Sequence, residues 1–199
     1  MTQKEPIFRN ATKDDCRAIA ELAVIAGEGI PSYFWSLSAK EGQDLLDVGE
    51  NNAASETDNF SYRNSTIAMI NGKTVAMMLA YRLPDATDAE DLDELPELIR
   101  PLVELEQCVP GTYYINMIAT FPENRNMGIG SKLMFAADQL AIKHGCDTLS
   151  VEVFEQNEGA LRLYQRQGFE VIDSRPVVPH PCYAYDTNIL LLTRSVNTK

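Results

Sequence analysis

The sequence predicts a single α/β domain, with strands and helices interleaved, on three observations. Apolar runs of strand length recur at "PIFRNA", "STIAMINGKTVAMMLAYRL", "TYYINMIAT", "DTLSVEVF", "EVIDS" and "NILLLTR". Segments with helical spacing and helix punctuation lie between them. The 199 residues, 45% hydrophobic and 23% charged, suffice for one sizeable core in an ordinary globular chain.

The elements follow in order. "PIFRNA" is the first strand. Thr12 caps the helix "KDDCRAIAELAVIA", with Asp15 at N3. Residues 28–60 read as two short helices; their aromatics Tyr33, Phe34 and Trp35 suit a core. The apolar runs joined at Asn71-Gly72 form a hairpin, because that dipeptide supplies the left-handed backbone a two-residue loop needs. Met77 and Met78 belong to the hairpin core. Between Asp85 and Glu97 stand seven acids and no base, which reads as a solvated face or mobile loop. "LPELIRPLVELEQ" is a short helix interrupted at Pro101. A strand over 112–120 leads through the turn "RNMGIG" into a helix with the apolar stripe Ile129, Leu133, Ala137 and Leu140. Gly145 suits that helix's C′ position. The strand "DTLSVEVF" precedes the helix "NEGALRLYQRQGF", with Asn157 before it and Gly168 after. Two strands close the chain. No repeat, low-complexity segment or linker divides it, so one domain spans 1–199.

The net charge of −12 is uneven: residues 1–111 hold 20 acids and 9 bases (−11), residues 112–199 hold 9 acids and 8 bases (−1). Such a chain is a poor partner for nucleic acid or an anionic membrane and suits a cationic small molecule or peptide. The acidity also serves solubility alone. Cys16, Cys108, Cys146 and Cys182 are far apart and form no CxxC, which points to a reducing compartment. No apolar run nears 18 residues, and "MTQKEPIFRN" lacks the apolar stretch of a signal peptide. A cytoplasmic protein is expected. With two histidines, His144 at a helix C-terminus and His180 in "VVPHPC", there is no Cys/His cluster and no metal site is expected.

The turn at 125–130 carries the first chemical signal. A glycine turn entering a helix exposes backbone N–H groups at the positive end of the helix dipole, a site suited to phosphate. Gly128 and Gly130 let a ligand approach without a Cβ, and Arg125 adds a fixed charge. A P-loop does not fit, since Gly-Ser-Lys at 130–132 lacks the upstream glycine in register. A dinucleotide fingerprint does not fit either, because the turn comes past mid-chain.

Arg125-Asn126-Met127-Gly128-Ile129-Gly130 matches R/Q-x-x-G-x-G/A, and in these residues the chain resembles the GNAT (Gcn5-related) N-acetyltransferases. "VEVFEQNEGALRLYQRQGF", 151–169, is similar to that family's second signature, and "IFRNATKDDCRAIAEL" to its first strand and helix. The resemblance is strong over 112–169 and poor over 28–60 and 83–110, where the family varies with its acceptors. Asn126 stands where glycine is usual. The resemblance implies a GNAT fold, a splayed mixed sheet of six or seven strands flanked by helices. It implies acetyl-CoA as co-substrate, its pyrophosphate on the N–H groups of Asn126, Met127, Gly128, Ile129, Gly130 and Ser131. It further implies that the strand 112–120 bulges away from 148–153 and pairs its Ile118, Ala119 and Thr120 backbone with the pantetheine arm. Asn157 caps a helix on any reading; in the family, asparagine here also touches the cofactor.

Tyr164 lies two helical turns after Asn157, on one face with Ala160. By composition it is a core tyrosine; the resemblance makes it the general acid for the CoA thiolate. An attacking amine must lose a proton, since its pKa is near ~10.4, so a base is expected. Many relatives place a glutamate on the strand before the turn, where this chain has Thr112, Tyr113, Tyr114 and Asn116. Relatives that acetylate protein N-termini use a glutamate twelve residues before the tyrosine, which here is Glu152. It points away from the face of Val151 and Val153, and a structural glutamate is its simpler role. Glu155 and His180 are lesser candidates. The function implied is acetyl transfer from acetyl-CoA to a primary amine of a small molecule or peptide. A silent acyl-CoA-binding or regulatory module, and a non-enzymatic protein whose 85–97 run docks a basic partner, are left open, as is a homodimer.

Overall fold

The structure, a computed structural model, describes residues 5–86 and 91–197. Its seven strands are β1 (Ile7–Asn10), β2 (Ser65–Ile70), β3 (Lys73–Arg82), β4 (Tyr113–Thr120), β5 (Thr148–Phe154), β6 (Glu170–Pro176) and β7 (Asn188–Ser195). They form one mixed sheet in the order β1-β2-β3-β4-β5-β7-β6. The helices are α1 (Cys16–Ala26), α2 (Ile30–Ser38), α3 (Leu45–Ala53), α4 (Arg100–Gln107), α5 (Ile129–Lys143) and α6 (Glu158–Arg166). The residues fall into two compact units. One holds those up to Ala80 with Met117–Leu133, the other Tyr81–Asn116 with those from Met134 onward.

In the first unit β1, β2 and β3 are antiparallel. The β2–β3 turn places Asn71 at φ 53° and Gly72 at φ 78°, the left-handed pair expected of a two-residue hairpin. The α1 helix begins through a 3-10 turn at Lys13–Asp15, where the Asp15 carboxylate accepts from the Thr12 N–H at 2.7 Å and from Arg9 at 2.8 and 3.0 Å. Ile19, Leu22 and Ala23 of α1 pack with Trp35 of α2, Val48 and Ala53 of α3, and Ile67 and Met77 of the hairpin. Trp35 is therefore core, while Tyr33 and Phe34 are half-buried and meet edge to face at 5.4 Å.

In the second unit β5 pairs antiparallel with β7 along its whole length, and β7 with β6. The parallel pairing of β4 with β5 covers Tyr113–Ile115 against Leu149–Val151 and ends there. Tyr113 and Tyr114 alternate across the strand as its pleat requires. Tyr113 stacks on His144 at 5.4 Å, and Tyr114 meets Tyr81 edge to face at 5.8 Å. On β7, buried Arg194 grips buried Asp138 of α5 through two bonds of 2.7 and 2.9 Å, and its guanidinium lies 5.0 Å over the Phe169 ring.

Two expectations change. Pro101 does not interrupt a helix. It occupies the first turn of α4, where its missing N–H costs no hydrogen bond, and a 3-10 turn at Glu97–Ile99 leads into it. On α5 the buried apolar positions are Ile129, Leu133, Met134, Ala137 and Ala141, with Leu140 only half-buried. The described acids of the 85–97 run are exposed, as expected of a solvated face; Asp85 pairs with Arg82 at 2.6 Å, and Asp91 accepts from the Asp93 N–H to open a 3-10 turn at Leu92–Glu94. Residues 87–90 of that run lie outside the described residues.

Candidate active site

The turn before α5 belongs to the first unit. A 3-10 turn at Pro122–Asn124 brings the chain round from β4, and Arg125 anchors it by donating Nε–H to the Thr120 carbonyl at 3.3 Å. Asn126 and Gly128 both take left-handed backbone, φ 63° and 74°. This explains why glycine is usual at position 126 and why asparagine, the side chain most tolerant of that region, substitutes for it. A Cβ at Gly128 would meet nothing within 4 Å, so the surface over the turn is open. Gly130 lies inside the first turn of α5, where the first N–H groups have no intrahelical acceptor. Arg125, Asn126, Gly128 and Ser131 are exposed, Met127 and Gly130 half-buried, and Ile129 is buried as the first apolar anchor of the helix. The chain thus presents a helix N-terminus, an open glycine and a cation together, which suits a pyrophosphate. In β4, Ile118 and Thr120 are half-buried around buried Ala119.

The second unit carries the acid and base candidates. Asn157 caps α6, its side-chain oxygen accepting from the Ala160 N–H at 3.1 Å. Tyr164, two turns on, is buried and packs edge to face on Phe169 at 5.8 Å. Burial raises its phenol above the ordinary range, and no hydrogen bond contributes. It therefore stays protonated, as a proton donor must.

Glu152 leaves the β5 face of Val151 and Val153, as its alternation requires. Neither carboxylate oxygen reaches water or has a hydrogen-bond partner. Burial first, then the like charge of Glu106 on α4, pushes its acid well above the usual carboxylate range. The Tyr114 hydroxyl opposes the rise without a formed hydrogen bond to it. Around it stand Tyr183, whose hydroxyl donates to the Leu98 carbonyl at 2.7 Å, and Phe154, flanked by Tyr183 and Tyr185 at 5.4 and 5.6 Å. Glu106, Tyr183 and Tyr185 were not singled out by sequence. They lie on a helix and a loop far along the chain, and only the alternation of Glu104 and Glu106 about buried Leu105 hinted that one acid is turned differently. The lesser base candidates are placed otherwise. Glu155 is exposed and accepts from Asn188, and the His180 ring nitrogen accepts from the Cys182 N–H.

A stability effect follows from Glu152. An acid raised in the folded state is ionised earlier in the unfolded chain, near ~4.3. Stability therefore falls as pH rises from that value until the folded acid has also ionised. Glu152→Gln removes this fall, so its melting temperature gains on the parent's between about pH 5 and pH 8. Scans at those two pH values check it; parallel pH curves would mean that Glu152 is solvated.

The fold is that of acetyltransferases. A polyamine N-acetyltransferase of Drosophila melanogaster superposes with a TM-score of 0.67 at 14% identity, over 96% of this chain and all of that one. The structure of yncA from Salmonella typhimurium, solved with its cofactor acetyl-CoA, gives 0.60 at 17% identity over 98% and 96%. The sequence profile of the Acetyltransferase (GNAT) family matches residues 32–169, more than two thirds of the chain, which belongs to that family. Among curated relatives, the chloroplastic GCN5-related N-acetyltransferase 4 of Arabidopsis thaliana is 30% identical over 95 residues, 47% of this chain and 33% of that protein. The chain matches a third or less of the length of such relatives. Among the described residues no cluster of side chains could hold a metal ion, and no helix is long and apolar enough to cross a membrane.

Proposed function

We propose that the chain is an acetyl-CoA-dependent N-acetyltransferase, a single domain over its length, acting on a primary amine of a small molecule or peptide. The observation that carries this reading is the turn at Arg125–Ser131, with Gly128 open and left-handed at the entry to α5. Family membership and a fold shared with yncA support the same co-substrate. The residues fit that group: the N–H groups of Asn126 to Ser131 hold its pyrophosphate, with Arg125 adding charge, and the backbone of Ile118, Ala119 and Thr120 holds its extended arm. Asn157 contributes a further contact while it caps α6. Bound acetyl-CoA supplies an acetyl group activated as a thioester.

Glu152, in its ionised form, removes a proton from the acceptor ammonium, so that the amine has a free electron pair. As the C–N bond forms and the C–S bond breaks, Tyr164 gives its proton to the departing sulfur. The second proton lost by the nitrogen restores the phenol, and the net reaction releases one proton. The four free cysteines support work in a reducing compartment such as the cytoplasm.

Acetyl-CoA raises the melting temperature of the wild-type chain, because a ligand of the folded state stabilises it by mass action. Gly128→Asn keeps the shift and Gly128→Asp loses it. Both side chains tolerate left-handed backbone, and the open space admits either, so only the charge distinguishes them. A folded Gly128→Asp protein that keeps the full shift removes the pyrophosphate from this turn. No shift in the wild type removes the co-substrate.

A further inference from the structure

We propose that the buried Asp138–Arg194 pair is a positioning device: acting through Phe169, it holds the Tyr164 ring in the orientation from which the phenol protonates the departing sulfur. This deepens the acetyltransferase reading and rests on Tyr164 being its acid. A proton donor works only within hydrogen-bond reach of its target, and such a group tolerates about 0.5 Å of misplacement. Tyr164 is buried, and no hydrogen bond ties its hydroxyl. The place of its ring is therefore set by packing alone.

The packing is built outward from the end of α6. Gly168 takes left-handed backbone, φ 84°, and closes the helix in a Schellman motif. There the Phe169 N–H donates to the Tyr164 carbonyl at 3.1 Å and the Gly168 N–H to the Gln165 carbonyl at 3.0 Å. The turn brings the Phe169 ring back against the Tyr164 ring, edge to face at 5.8 Å. The Arg194 guanidinium lies over the face of Phe169, 5.0 Å from the ring centre. Arg194 is fixed in turn by Asp138, which accepts from each of its terminal nitrogens, and by the Ser195 carbonyl at 2.9 Å. Asp138, Tyr164, Phe169 and Arg194 are all buried and all belong to the second unit.

Adhesion alone does not call for a charged pair here. Two apolar side chains would join α5 to β7 without desolvating any charge, and buried ion pairs exchanged for them often lose no stability. What the pair adds is a fixed plane. A bidentate carboxylate sets both the place and the tilt of the guanidinium, which a lone aliphatic contact does not do. That plane is kept although one donor goes unsatisfied: the Arg194 Nε–H is shut off from water and finds no acceptor. The flat cation rests on the flat ring, attracted by its π-face. While it stays there, Phe169 cannot swing away from Tyr164.

The test is a double-mutant cycle. Asp138→Leu together with Arg194→Met strands no charge and so keeps the fold; this paired change is made in the parent and in Tyr164→Phe. Turnover is read by thiol release, with whichever of 1-aminobutane and an alanyl tripeptide reacts faster. In the parent the paired change is expected to lower kcat about tenfold, part of the roughly 10²-fold due to the acid, and to leave the KM for acetyl-CoA unchanged. In Tyr164→Phe it should alter kcat less than about twofold, the scatter usual between independent sites. Phe169→Leu, which removes the ring between the two, should follow the same pattern. Equal losses in both backgrounds, or no loss in the parent, overturn the proposal alone. Full turnover by Tyr164→Phe overturns the acid, and the proposal with it. Fluorine NMR of protein labelled with 3-fluorotyrosine needs no acceptor. The Tyr164 line, assigned by its loss in Tyr164→Phe, should shift and broaden in the paired variant, and an unmoved line overturns the brace. If neither amine is turned over, the transferase reading fails separately and this line decides whether the brace stands.

Discussion

Tyr164→Phe lowers kcat on an identified amine about 10²-fold, the scale of one general acid, while the affinity for acetyl-CoA stays close to that of the parent. The change deletes one hydroxyl from a side chain packed on Phe169 and leaves the ring contact in place. The fold therefore survives and the loss falls on chemistry. Because burial raises the phenol, the parent's kcat does not fall through ionisation of Tyr164 at mildly alkaline pH. Steady-state kinetics with thiol detection, beside a thermal shift with acetyl-CoA, separates the two quantities. Unaltered turnover would make Tyr164 a core residue and pass the proton to another donor.

Asp138→Asn costs about 3–5 kcal/mol of stability, because it strands the Arg194 charge inside the second unit. The Asp138 and Arg194 side chains are 3% and 5% exposed, so water cannot stand in for the lost carboxylate. The same carboxylate also accepts from the Asn197 N–H, which ties down the chain beyond β7. Denaturant unfolding of the variant measures the loss. A double substitution of Asp138→Leu and Arg194→Met recovers most of it, since a paired burial of apolar groups carries no stranded charge. A cost below about 1 kcal/mol for Asp138→Asn would place the pair in water after all.

What the sequence showed was local. The Asn71-Gly72 turn, the Thr12–Asp15 cap, the Asn157 cap and the glycine turn before α5 are each written within a few residues, and each forms as expected. The alternation of β5 likewise turned Glu152 away from Val151 and Val153. What it hid depends on chain crossings. Glu106 reaches Glu152 only because α4 packs on the sheet, and Arg194 reaches Asp138 across 56 positions. Pro101 was ambiguous even locally, since a proline that ends one helix opens another, and the residues after it decide which. The tyrosines at 183 and 185 sit in a segment without periodicity, so nothing marked them before the fold brought them beside Phe154.

The place of β7 bears on how the molecule is made. This strand, almost the last in the chain, lies between β5 and β6 and joins them. During synthesis, at roughly 5–20 residues per second, β6 emerges before the neighbour that will hold it. For those seconds it offers Val171 and Ile172 on an unpaired ribbon, with β5 equally bare on that side. The acidic residues Glu170 and Asp173 that bracket the two apolar side chains are then the nascent chain's protection against pairing with another copy of itself.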